Sequence, residues 1–364
     1  MSDAPLRMGF AGANAERGWA RDAHFPALSA LPGLAIHAVS ARTQEIADGA
    51  AEAFGAAKAY ADSLEMARDP EVDVVAVTVK VPEHRAIVLA ALEAGKHVYC
   101  EWPLAVDLAE TEELAAAARR AGTHVAIGLQ GGNAVAVRHA SKLVREGAIG
   151  RPLTLRVVSS TAGWGAIAPP HYAYLQDRRN GATLATIAGG HTVAMVEAVV
   201  GAYEEVSARN SILRGRVEIA GTGEIVERTC ADHMLIHGRH VGGCVSSVEI
   251  TAGENTPLRF ELRGTEGTLE IRGHHPGGYQ CGDLTVVTSP ASEPQPVSSL
   301  VGLEGAAINV GQLHADFAGD ILNGTRTVPD FEVAVRLTRL LDAIETASAE
   351  GRSIPLADYQ REAS

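Results

Sequence analysis

No apolar stretch in this sequence approaches the ~20 residues of a membrane-crossing helix, which excludes a helical span. Basic runs are missing too, and the formal net charge is −13 with histidine neutral. Such a surface repels a phosphate backbone, so nucleic acid is not expected as a direct partner. Cysteine is sparse: Cys100, Cys230, Cys244 and Cys281 are scattered, and none forms a C-x-x-C pair. That is the pattern of isolated thiols in a reducing compartment. The opening Met1-Ser-Asp-Ala-Pro-Leu-Arg has no apolar run behind a basic segment, so no signal peptide and a cytoplasmic location are expected.

What is present fits an ordinary globular protein, with 46% hydrophobic and 21% charged residues. At 364 residues the chain is too long for one core, and two domains are expected. Up to Gly131 short apolar runs alternate with Ala-rich stretches. Strands are read at 6–11, 34–40, 72–79, 97–100 and 124–129, with helices at 20–30, 43–54, 83–94 and 108–121. Repeated β-α units of this kind predict a doubly wound parallel sheet, the Rossmann arrangement, over residues 1–131. A helix at 134–146 ends at Gly147, and the rhythm changes after Pro152. Strands in succession at 153–159, 206–212, 233–237, 243–251, 258–262 and 268–271 predict a largely antiparallel open sheet. With helices at 192–200 and 332–350, and a Pro/Ser-rich loop at 289–299, residues 132–364 read as an α/β domain.

The first strand runs into Gly12-Ala13-Asn14-Ala15-Glu16-Arg17-Gly18-Trp19. This departs from G-x-G-x-x-G, because Asn14 replaces the second glycine. Its place between a strand and a helix suits a pyrophosphate all the same, and Asn14 tolerates the left-handed backbone that the glycine would supply. An ordinary βα turn is the alternative. At the end of the second strand the carboxylate that binds a ribose 2′-hydroxyl is absent; Ser40, Arg42 and Thr43 stand there instead. Arg42 can pair with a 2′-phosphate, and the two hydroxyls can donate to it, so NADP is expected over NAD. A solvated arginine at a strand end is the plain alternative.

The segments Val79-Lys80-Val81-Pro82-Glu83-His84 and Tyr99-Cys100-Glu101-Trp102-Pro103 resemble the Gfo/Idh/MocA oxidoreductases, in the branch of the fungal galactose-pathway repressor. Similar stretches at 12–20, 77–84, 101–102, 128–131, 163–165, 190–192, 232–235 and 264–267 run the length of the chain. The resemblance implies a Rossmann domain, a second α/β domain whose open sheet pairs subunits into a homodimer, and a nicotinamide between the two. It places Gly12, Ala13, Asn14 and Trp19 in the dinucleotide loop, with Ser40, Arg42 and Thr43 at the adenosine ribose. Val79, Lys80, Pro82 and His84 fall beside the cofactor, and Glu101, Trp102 and Pro103 near the nicotinamide ribose. Two departures stand out. Enzymes of this family have Lys where this chain has Trp102, and an Asp four residues before a His; here His191 is present and the acid is not.

Hydride transfer needs a group that moves the hydroxyl proton. His191 is the first candidate, because histidine titrates near neutral pH; capping of the helix that follows Gly190 is its structural alternative. Lys80 is the second, through a lowered pKa beside the cofactor, or else as a simple hydrogen-bond donor. Tyr172 and Tyr174 precede His191 and are candidates for lining a substrate pocket. His233 and His237 share one face of a strand roughly 13 Å apart, too far for one metal ion, so no metal is expected. His274 and His275 read as a turn. The expected activity is NADP(H)-dependent oxidation of a secondary alcohol, or reduction of a ketone, in a sugar, cyclitol or related small molecule. A dinucleotide-binding regulator, or an enzyme holding NADP tightly with no net redox change, is the alternative.

Overall fold

The computed structural model describes residues 4–300 and 302–357. Packing divides the chain into two compact units. One comprises the chain up to Gln130 together with Ser299–Val335, the other Gly131–Ser298 and the chain from Arg336 onward.

In the first unit, strands β1 (Leu6–Ala11), β2 (Leu34–Ser40), β3 (Lys58–Tyr60), β4 (Val74–Val77), β5 (His97–Glu101) and β6 (Val125–Gly128) form one sheet in the order 3-2-1-4-5-6. Every pairing in it is parallel. This is the doubly wound order, and its direction of winding reverses between β1 and β4. β4 is buried at all four positions, as a strand covered on both faces requires. It is shorter than the apolar run at 72–79, because the amide of Val72 turns back to the carbonyl of Asp69. The crossover helix Gln44–Phe54 is capped by the Thr43 hydroxyl and closed by Gly55 in the left-handed region. Asp107 and Gly122 do the same for Leu108–Ala121.

A helix at Ala306–Asn323 was not expected from the sequence. Asn309, Gly311 and His314 interrupt its apolar stripe, and all three are buried. Its Leu313, Phe317 and Ala318 share one core with Met8, Phe10, Phe25 and Tyr99. Gly311 lets it approach closely, since a Cβ there would lie 2.8 Å from Leu300 and 3.2 Å from Ala27. The turn that follows is organised by buried Asp320, which accepts bonds from Thr325, Thr327 and Val328. Where the sequence reading cuts the chain once, at 131/132, packing therefore returns Ser299–Val335 to the first unit.

The second unit contains β7 (Pro152–Thr161), β8 (Ile167–Ala168), β9 (Tyr203–Ser211), β10 (Arg216–Ile219), β11 (Ile225–Glu227), β12 (His233–His240), β13 (Val245–Ala252), β14 (Leu258–Gly264), β15 (Thr268–Gly273), β16 (Leu284–Ser289) and β17 (Ile354–Pro355). Eight of these make one open sheet in the order 16-15-14-7-13-12-9-17. Only the β7–β13 pairing is parallel. Burial alternates along β13 and β14, so one face is core and the other is not. A small sheet of β11, β10 and β8, unexpected from the sequence, lies beside it in chain order. Buried Asp232 anchors the small sheet's connections. It accepts from Arg228 at 2.9 Å and from the amides of Leu213 and Arg214 at 2.6 and 3.0 Å. Arg228 also donates to Gln176 and to the carbonyl of Gly165.

Candidate functional site

β1 ends at Gly12, whose φ of 95° is open to glycine alone at little cost. A Cβ there would meet Val79 at 2.9 Å and the backbone of Thr78 at 3.1 Å, so strands β1 and β4 deliver their ends into van der Waals contact. The amides of Gly12 and Ala13 both bond the carbonyl of Ser40. Asn14 does not substitute for glycine in the way expected. Trp164 is the only non-glycine residue with positive φ among the described residues. Instead the Asn14 side chain accepts from the amides of Glu16 and Arg17, at 2.8 and 3.2 Å. It builds the turn by capping it, and those two amides are occupied. Gly18 carries the remaining positive φ, 106°. The chain then enters a π turn at Ala20–His24 and an α-helix at Phe25–Ser29, where one longer helix was expected. Trp19 packs against Ala23, Ala27, Ala307 and Val310, and its indole Nε1 is buried without a partner.

At the end of β2 the three expected residues separate. Ser40 is fully buried, and its hydroxyl engages Ser63 at 2.9 Å and the carbonyl of Phe10. It therefore braces the strand, and does not present a hydroxyl at the surface. Arg42 is exposed and makes no ion pair among the described residues. Thr43 accepts from the amide of Ile46 at 3.3 Å and so begins the next helix.

After β4, Thr78 bonds back to the carbonyl of Ala11 through both amide and hydroxyl. Exposed Lys80 is the N-cap of helix Val81–Glu93, with Pro82 in its first turn. His84 faces inward. It is buried, with Nε2 3.0 Å from the carbonyl of Val79, Nδ1 3.2 Å from that of Leu104, and Cys100 Sγ 3.4 Å from Nδ1. Burial pulls its pKa below the ordinary imidazole value, against the bonds to Val79 and Leu104. His84 thus pins the loop that carries Val79; it does not stand on the loop's outer side. Burial also pushes the Cys100 thiol well up, and the Glu101 carboxylate adds to this.

β5 ends at Glu101, followed by a cis peptide between Trp102 and Pro103. Trp102 is buried. The Glu101 carboxylate folds over β6 at Gly128, where a Cβ would lie 2.9 Å from Oε1. The same oxygen is 3.0 Å from Nε2 of His24, whose Nδ1 is 2.9 Å from Nε2 of His314. Neither histidine stood out in the sequence. Their signal was two histidines inside apolar helical stretches, a pattern that ordinarily means only a packed ring.

In the second unit, His191 is buried in the first turn of the helix Gly190–Val200, directly after a π turn at Ala185–Gly189. No side chain caps this helix, so capping is not what His191 does. The Tyr279 hydroxyl donates to its carbonyl at 2.5 Å. Burial, with Cys281 nearby, raises the Tyr279 pKa far above the usual phenol value, so it remains a donor. A Cβ at Gly131 would lie 3.1 Å from that same hydroxyl. Ile187 stands where the family's Asp is missing, and its neighbour Thr186 donates to the carbonyl of Gly181 and accepts from the amide of Thr183. Trp164, at φ 53°, donates its indole N–H to Leu175. Tyr172 is exposed and Tyr174 half-buried, on a 3-10 helix at Pro170–Gln176. His233 and His237 lie on β12 as expected, with His233 3.2 Å from Glu249. No group of three or more metal-ligating side chains occurs among the described residues.

No helix among the described residues is long and apolar enough to cross a membrane. Residues 6–129 match the model of the oxidoreductase family with an NAD-binding Rossmann fold, and residues 136–273 match that of the Gal80p C-terminal domain. Dehydrogenase aclE of Aspergillus oryzae is 29% identical over 87% of this chain and 88% of its own length. The galactose/lactose metabolism regulatory protein GAL80 of Kluyveromyces lactis is 30% identical over 75% of this chain and 65% of its own. Levoglucosan dehydrogenase, solved with NADH and levoglucosan, superimposes with a TM-score of 0.82 at 23% identity, covering 97% of this chain and 100% of that one. This last likeness concerns the fold. With a dinucleotide-binding first unit and a second unit of the Gal80p type, the chain belongs to the Gfo/Idh/MocA oxidoreductase family.

Proposed function

We propose that the protein is an NADP(H)-dependent oxidoreductase acting on a secondary alcohol or ketone of a sugar, cyclitol or related small molecule. The observation that carries this reading is the junction at Gly12, where the ends of β1 and β4 meet without room for a Cβ. A dinucleotide is bound at such a switch point, against backbone alone. The orphaned Nε1 of Trp19 supplies an unsatisfied donor in the same loop. Gly12, Ala13, Asn14 and Trp19 form the pyrophosphate loop in this reading, and Val79, Lys80, Pro82, Glu101 and Trp102 flank the rest of the cofactor.

Arg42, exposed and without an ion pair, favours a 2′-phosphate, and Thr43 stands beside it. Ser40 and His84 act behind the site, one bracing β2 and the other holding Val79. The nicotinamide, when bound, supplies or accepts the hydride. His191 moves the hydroxyl proton, with Lys80 the second candidate. The names of two sequence relatives, aclE and a levoglucosan dehydrogenase 27% identical over 88% of this chain, support a dehydrogenase and a carbohydrate substrate.

The test is a screen of sugars and cyclitols by nicotinamide absorbance with NADP and with NAD, run beside Arg42→Ala. Losing one charge-assisted phosphate contact costs on the order of 1.5–3 kcal/mol, roughly 10- to 100-fold in NADP affinity. NAD affinity is expected to stay nearly unchanged. Equal loss for both would refute the role of Arg42.

Two observations favour a second reading, a dinucleotide-binding regulator. Trp102 has no titratable group where the family's enzymes have Lys, and the second unit matches the Gal80p domain. A bound nucleotide that no polyol or ketone ever oxidises or reduces would support it.

A further inference from the structure

The first unit buries two histidines that hydride transfer does not require. His24 and His314 are both fully buried, and they form an unbroken chain with Glu101: Oε1 to Nε2 of His24 at 3.0 Å, then Nδ1 to Nε2 of His314 at 2.9 Å. Aromatic rings fix both. Tyr99 stacks on His314 at 4.4 Å and meets His24 edge-on at 5.4 Å, while Phe10 closes the other side of His24 at 5.7 Å. Of the three chain members only Glu101 reaches solvent, with its side chain 13% exposed.

The direction of the chain follows from its inner end. Nδ1 of His314 is buried with no partner, so a proton there would be a stranded donor. The His314 proton therefore sits on Nε2 and points at Nδ1 of His24. That nitrogen must then be bare, and the His24 proton lies on Nε2, donated to the Glu101 carboxylate. Burial, reinforced by His24, holds His314 well below the ordinary imidazole range. Every bond in the chain points outward, toward the carboxylate.

A purely structural role suits this arrangement poorly. One bare ring nitrogen is left unsatisfied in the core, and apolar rings of the same shape would fill the space without that penalty. What the chain does accomplish is to give one carboxylate oxygen a fixed donor, while Gly128 gives the carboxylate its room.

We propose that His24 and His314 are positioning residues that orient the Glu101 carboxylate at the end of β5, as one wall of the dinucleotide site. This rests on the dinucleotide reading of the first unit. His24→Phe preserves the packed ring and removes the donor, whereas His24→Gln restores an amide N–H toward Glu101. The assay is NADPH and NADH affinity of the full chain by fluorescence, in the wild-type and Glu101→Gln backgrounds.

His24→Phe is expected to weaken binding about 10-fold, within the range of coupled neighbours, and His24→Gln to recover most of it. In the Glu101→Gln background His24→Phe should change affinity less than about twofold, because its target has gone. An equal loss in both backgrounds, or no loss in either, overturns the proposal while leaving the dinucleotide reading intact. A wild-type chain that binds neither nucleotide overturns both.

Should His24→Phe fail to fold, the wild-type protein still gives an answer. Long-range proton–nitrogen spectra of ¹⁵N-histidine-labelled protein report the tautomers directly. The expected result is both rings protonated on Nε2, and His24 resonances that shift in Glu101→Gln. A His24 ring protonated on Nδ1 would overturn the proposal.

Discussion

Replacing Asp232 with alanine should cripple the second unit, and the size of the effect can be worked from its contacts. Arg228 and Asp232 side chains are each 0% exposed. Removing the carboxylate leaves the guanidinium buried without its counter-charge, a loss of about 3–5 kcal/mol. Burial already pulls the Arg228 pKa down, against the attraction of Asp232 that holds it up. The amides of Leu213 and Arg214 also lose their acceptor, but Leu213 is 64% exposed, so water can replace much of that bond. About 1 kcal/mol covers both. The sum, about 4–6 kcal/mol, rivals the whole stability of a typical domain.

Two units make a single unfolding free energy ill-defined, so the assay is hydrogen-exchange protection of β12, which follows Asp232 directly. The double variant Arg228→Met/Asp232→Asn removes both charges and keeps an acceptor for Leu213. It should lie within about 2 kcal/mol of wild type. If Asp232→Ala costs under about 1.5 kcal/mol, or the double variant is no better than the single, the pair is not the anchor described.

His191→Ala should lower turnover about 10²–10⁴-fold with nucleotide affinity nearly unchanged, the usual range for general acid–base help, as read by steady-state kinetics. Full activity would pass the proton to Lys80. Gly12→Ala should abolish detectable nucleotide binding while costing about 2–4 kcal/mol of stability, from its positive φ and the crowding by Val79 and Thr78; titration and chemical denaturation read the two effects separately. The Asp320 carboxyl is raised by burial but lowered further by bonds from Thr325, Thr327 and Val328, and ends below its ordinary value. Its contribution is therefore complete above the unfolded pKa of about 4 and is lost as pH falls through the folded value. Asp320→Asn should flatten the acid limb of a stability–pH profile. A homodimer paired through the open sheet is expected by light scattering at micromolar concentration; a stable monomer would count against it.

The Rossmann half was legible because its signals are local. A β-branched run buried on both faces, caps such as Thr43 and Asp107, and closing glycines at 55 and 122 each act within a few residues. The helix Ala306–Asn323 was not, since its buried Gly311 and His314 make sense only against Ala27, Leu300 and Tyr99. Asn14 was expected to contribute its backbone tolerance and contributes its side chain instead; a cap and a left-handed residue favour the same amino acid. Ser40 lies where the strand pattern put it, but which way its hydroxyl turns is decided by Ser63, 23 residues on at the start of the helix Ser63–Arg68. The His24–His314 contact joins positions 290 apart, beyond the reach of any spacing rule.

Because Leu313, Phe317 and Ala318 complete a core begun by Met8 and Phe10, the first unit cannot close during synthesis until residues far downstream have left the ribosome. All of Gly131–Ser298 is made in between. At roughly 5–20 residues per second, the apolar face of β1 waits on the order of ten seconds or more for its cover. The second unit's large sheet lacks only β17 when that interval ends. The N-terminal third, although it holds every strand of its sheet, is a nascent chain that needs guarding before it is a domain.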